Sequence, residues 1–133
     1  MSQKAILLSF ITCDGVHFDN ASGKYYLLGV FSGIRAAQFP VKHPRMYWFL
    51  TLTEVAEGTH KVNISMYLGS DQPRTICKRA FKSRGPLERI HIVNEVKNLE
   101  FPAAGDYSIL IEVDDEPLLA TSFQVSEHSS TSS

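Results

Sequence analysis

Cys13, Asp14, His17 and Asp19 bring a thiol, an imidazole and two carboxylates into one short stretch. All three side-chain types ligate zinc. A cysteine beside a histidine and an acid can also support nucleophilic catalysis. The spacing matches neither a paired-cysteine motif nor a His-Glu-x-x-His helix. In an extended chain Cys13 and Asp14 point to opposite faces, whereas a zinc site needs three or four converging protein ligands. The residues therefore favour a cysteine at the inner end of a strand, followed by a polar loop. A small-ligand or metal-binding domain centred on Cys13, Asp14 and His17 stands as the alternative. No metal or other cofactor is expected.

Two further groups have binding character. Lys78, Arg79, Lys82, Arg84 and Arg89 form a basic stretch able to accept a phosphate or an acidic partner. Charge along an edge strand has a commoner purpose, since it stops sheets from pairing edge to edge. Tyr25, Tyr47, Phe49 and Tyr67 fall opposite the main apolar face of their strands. Tyrosine is enriched at interfaces, so Tyr25, Tyr47 and Tyr67, with Lys78 and Arg79, are the candidate binding residues. Phe49 is expected to be covered within the domain. His43, His60, His91 and His128 are scattered. The chain has no glycine-rich phosphate loop, nucleophile elbow or kinase signature, and a non-catalytic role is expected.

The elements that must position these residues are strands. Ile6 to Cys13 is a short apolar run of the buried-strand kind, followed by a turn-rich connection from Asp14 to Gly23. Lys24 to Ile34 reads as a second strand, in which Gly29 and Gly33 mark a bulge or a close backbone approach. Pro40 and Pro44 bound a stretch unsuited to a central strand. From Arg45 to Thr53, Met46, Trp48, Leu50 and Leu52 share one face. Val62, Ile64, Met66 and Leu68 alternate with polar residues in the next strand. Thr75 to Phe81 is charged enough for an edge, and Arg89 to Leu99 is the weakest strand pattern. Tyr107 to Val113 and Leu119 to Val125 form a hairpin. Gly105-Asp106-Tyr107 either builds a tyrosine corner or simply begins an apolar face.

About eight short strands with turn signals, and no helical segment between them, predict a single antiparallel β-sandwich of the immunoglobulin-like kind over 1–125. The polar stretch 126–133 is expected to be a mobile tail. At 133 residues and 44% hydrophobic composition, such a domain buries enough surface to fold without staples. Thirteen basic and fourteen acidic residues give a net charge of −1, without the basic excess of a nucleic-acid binder. Cys13 and Cys77 read as free thiols in a reducing cytoplasm. The apolar run before Cys13 is short for a lipoprotein signal, and no run is long enough for a membrane-spanning helix.

The succession of these patterns, with Gly23, Lys24 and Gly29 early and Pro102, Gly105 and Tyr107 late, resembles a family of small bacterial proteins catalogued only as a domain of unknown function. The resemblance implies a β-sandwich in a bacterial cytoplasm and no activity. The expected role is an interaction module that binds a protein partner or itself, through a sheet face or an edge strand.

Overall fold

The computed structural model describes residues 4–127, and these contain nine strands and no helix. The strands are β1 (Ile6–Asp19), β2 (Lys24–Val30), β3 (Gly33–Ala36), β4 (Val41–Thr53), β5 (Gly58–Leu68), β6 (Arg74–Ser83), β7 (Ile90–Phe101), β8 (Gly105–Val113) and β9 (Glu116–Glu127). They form a four-stranded sheet in the order β2-β1-β4-β7 and a five-stranded sheet in the order β3-β9-β8-β5-β6.

Alternation decides which face of each strand turns inward. Met46, Trp48, Leu50 and Leu52 are fully buried, and Ile64, Met66, Ile109, Ile111 and Phe123 meet them from the other sheet. Full burial of each such side chain stabilises the fold by roughly 1.5–3 kcal/mol. A one-residue slip in register would turn the whole set to solvent. Asn94 interrupts the apolar face of β7 without harm, because its side-chain amide donates to the Trp48 carbonyl at 3.3 Å. Asp114 and Asp115 both have positive φ, 51° and 66°, and form the two-residue loop between β8 and β9. That conformation suits the twist of paired strands, and aspartate tolerates it better than most residues.

Tyr107 fulfils both sequence expectations. Its ring is buried against Phe101, while its hydroxyl donates to the Ala103 carbonyl at 2.6 Å and accepts from the Ala103 N–H at 3.2 Å. This is the geometry of a tyrosine corner.

Five expectations need correction. Lys24 to Ile34 is two strands in different sheets, because the chain crosses over at Phe31 and Ser32. Phe31 N–H bonds to the Thr12 carbonyl, and Ser32 carbonyl accepts from Gln124 N–H. The close approach expected at Gly33 is real: a Cβ there would collide with the Gln124 carbonyl. The sandwich is not wholly antiparallel, since β3 runs parallel to β9. Pro44 lies inside β4, a central strand, but beyond Cys13↔Tyr47, the last pair with β1. On its other side the pairing with β7 runs past it, from His43↔Leu99 to Arg45↔Lys97, without a Pro44 pair. Finally, Asp14 to Asp19 continues β1 instead of looping, held extended by its pairing with β2. At the other end, β9 runs two residues past the expected boundary at 125, with Ser126 and Glu127 paired to Arg35 and Ala36. The remainder of the expected tail, 128–133 and with it His128, lies outside the described residues.

Candidate docking edge

The unusual part of the molecule is the hairpin made by the outer half of β1 and β2. Phe49 and His91 point away from the core, because their neighbours Trp48, Leu50, Ile90 and Ile92 point into it. Yet the Tyr25 ring lies 5.3 Å from each of their rings. Phe49 pairs with Ile11 on β1, whereas Tyr25 pairs with Phe18. Seven residues of flat strand would separate those two positions by roughly 23 Å. The hairpin must therefore bend back over the outer face of the four-stranded sheet. Gly29 accompanies the bend with a φ of +67°, and a Cβ there would stand 2.6 Å from the Asp14 carboxylate. Of the bulge or close approach expected at Gly29, the structure has the close approach, and the β1–β2 register passes it without a shift.

The fold-back gathers Phe18, Tyr25, Phe49 and His91 into a second aromatic cluster, in which Phe49 is buried while Phe18 and His91 stay exposed. Phe49 stacks on His91 with an interplanar angle of 17°, and Thr51 Oγ1 hydrogen-bonds His91 Nδ1 at 2.9 Å. Phe49 is 6% exposed, so both faces of β4 are covered within the domain there, as expected.

Cys13 is fully buried, and its thiol donates to the Gly15 carbonyl at 3.4 Å. Burial is the largest influence on it and pushes its pKa up. Asp14 and His17 are exposed, and the His17 ring lies against Tyr26. Asp19 caps the hairpin turn, accepting from Ser22 Oγ at 2.6 Å. The four side chains are thus spread along one ribbon instead of converging. Among the described residues no group of three or more His, Cys, Asp or Glu is placed to hold a metal ion.

The tyrosines do not share one surface. Tyr25 belongs to the second aromatic cluster. Tyr47 lies on the same sheet, its hydroxyl donating to Glu95 at 3.2 Å, with the Arg45 guanidinium 6.0 Å from its ring. Tyr67 is on the other sheet, paired with Ser108. Lys78 and Arg79 are exposed on β6, which is an edge strand as expected. Arg79 Nη1 donates to the Val93 carbonyl at 2.8 Å, and Arg74 Nη2 to the Glu100 carbonyl at 2.9 Å. Both arginines reach from β6 to β7 and occupy carbonyls along that edge of the four-stranded sheet.

That sheet's other edge is different. β2 pairs with β1 alone, and Lys24 is its only charged residue. Tyr26, Leu28 and Val30 are 49%, 57% and 64% exposed, alternating along one side. Beside Val30 a groove of about 270 Å³ runs between the sheets, lined by Phe10, Ile11, Phe31, Ile109 and Phe123 and rimmed by hydroxyl residues. Sequence reasoning missed Tyr26, Leu28 and Val30. The signal was the uncharged run from Tyr25 to Ile34, which reads equally well as a buried strand.

Fold and site together define an all-β, two-sheet domain with one unprotected edge strand. Residues 8–126 match a family of unknown function, DUF6941, and the chain belongs to that family. No curated protein matches it.

Proposed function

We propose that this chain is a non-catalytic interaction module that pairs with a second copy of itself through β2. The observation that carries this reading is the contrast between edges. Soluble proteins blunt exposed edges with charge, shortness or cover. β6 and β7 carry charge and arginine bridges, and β3 has four residues. β2 has a single charge, Lys24 at its first position, and presents Tyr26, Leu28 and Val30 to water. A second copy fits best. Tyr26, Leu28 and Val30 are symmetric about Leu28, so two antiparallel β2 strands appose apolar side chains around a two-fold axis. No charge within the run 25–34 opposes its own copy. Two-fold dimers are also the commonest oligomers.

The architecture of the module is read as immunoglobulin-like. The pairing β1-β4-β7 corresponds to strands A, B and E of that fold. The run β9-β8-β5-β6 corresponds to G, F, C and C′, and the tyrosine corner falls at the start of F. In this correspondence the β1–β2 hairpin is an insertion that the scaffold does not need, which favours it as the place where function was added. Two unbridged thiols fit the reducing cytoplasm of a bacterium.

Sedimentation equilibrium of the full chain tests the reading. The expected result is a dimer at micromolar concentration that Leu28→Lys converts to a folded monomer. A monomeric parent chain, or a dimer indifferent to Leu28→Lys, would overturn it.

A further inference from the structure

At the end of the sandwich away from the groove, His60 stands between two groups that only accept hydrogen bonds. Its Nε2 lies 2.7 Å from the Ala56 carbonyl, and its Nδ1 lies 2.5 Å from an Asp114 carboxylate oxygen. Neutral imidazole carries one N–H and one lone pair. It can serve either acceptor, but must then turn its lone pair on the other. Only the imidazolium donates to both.

The surroundings hold this arrangement in place. Asp114 accepts from Lys61 N–H at 3.0 Å through its other oxygen and donates its own N–H to the Lys61 carbonyl at 2.9 Å. From β6 the uncharged Phe81 ring stacks on His60 at 5.7 Å. A cleft of about 480 Å³ opens beside the pair, lined by Lys4, Val55, Ala56, Val113, Glu116 and Leu118. Its remaining charges, Lys4 and Glu116, lie 4.0 Å apart and offset one another. Asp114 is thus the charge facing His60, and the Lys61 ammonium also acts on that carboxylate.

We propose that His60 is a proton-operated latch, its imidazolium fastening the β4–β5 connection at Ala56 to the β8–β9 turn at Asp114. Losing the proton frees one of these two anchors and widens the cleft. The direction in pH follows from the partners. The hydrogen bond that His60 donates to Asp114, foremost, holds the His60 pKa above the ordinary 6.5. The latch is therefore fully closed below about 6.5 and is released as pH rises through the elevated folded value.

The test uses the full chain labelled with nitrogen-15, its histidine ring signals followed from acid to alkaline pH. Backbone hydrogen exchange over 54–58, corrected for intrinsic base dependence, is measured in parallel. His60 is expected to titrate above the ordinary 6.5, with exchange over 54–58 accelerating along the same curve. Asp114→Asn tolerates the positive φ and keeps an acceptor; it should lower the His60 midpoint by about one pH unit or more. A His60 midpoint at or below the ordinary 6.5 would overturn the proposal, as would 54–58 amides indifferent to its titration. Both readouts exist in the unmutated chain, so the outcome does not depend on the variant folding.

Discussion

Phe49→Ala tests whether the β1–β2 hairpin lies on the sheet. Phe49 is 6% exposed although it faces away from the main core, with the Tyr25 and His91 rings packed on it beside its strand neighbours Ile11 and Val93. Removing a buried phenylalanine costs about 3–5 kcal/mol. The lower end applies here, about 3 kcal/mol, because a hairpin settles into a cavity more readily than a closed core does. Phe18 provides the internal comparison: it touches the same cluster at 4.8 Å from Tyr25 but is 44% exposed. Phe18→Ala should cost roughly half as much, about 1.5 kcal/mol. Urea unfolding followed by fluorescence of the single tryptophan, Trp48, which is fully buried, reads both. With a slope of about 2 kcal/mol per molar, Phe49→Ala moves the midpoint down by about 1.5 M. Equal losses for the two variants, or a loss below about 1 kcal/mol for Phe49→Ala, would mean that the hairpin stands clear of the sheet.

Three other outcomes follow from the geometry. Leu28 is 57% exposed; hiding that fraction on both protomers contributes about 2–3 kcal/mol, so Leu28→Lys should weaken a dimer at least 30-fold, roughly, by sedimentation. Tyr107→Phe strips a buried hydroxyl from the Ala103 carbonyl and N–H, and thermal unfolding should show a loss of about 1–2 kcal/mol. Burial pushes the Cys77 thiol up to about 11 from 9.0. Below both values its thiolate fraction is about a hundredfold lower than that of an unperturbed thiol, so disulfide reagents should label the native chain correspondingly slowly at pH 8.

Much of this fold was legible because alternation is a local signal. Met46 to Leu52, Val62 to Leu68 and Tyr107 to Val113 declare their inner faces residue by residue, and each inner face is buried. What local pattern does not encode is where a strand changes sheet. Lys24 to Ile34 is uniformly apolar, yet it divides at Phe31 because Thr12 and Gln124, far away in sequence, claim its backbone. The bend of β1 is hidden for the same reason: it becomes visible only when Tyr25 is seen against Phe49. The chemistry-bearing residues misled differently. Cys13, Asp14 and His17 are close in sequence and point different ways, whereas His60 and Asp114 are 54 residues apart and touch. Lys78 and Arg79 were recognisable as edge residues, but the carbonyl of Val93 that Arg79 binds was not.

The arginines bridging β6 and β7 limit how far assembly can go. Joining two copies through β2 would give a continuous eight-stranded sheet ending in β7 on either side. At both ends, main-chain oxygens are already taken by guanidinium groups, which keep their proton at any physiological pH. A third copy would have to displace them. Growth of this sheet would therefore halt at the pair, a closed particle where an open edge on both flanks would invite a fibre.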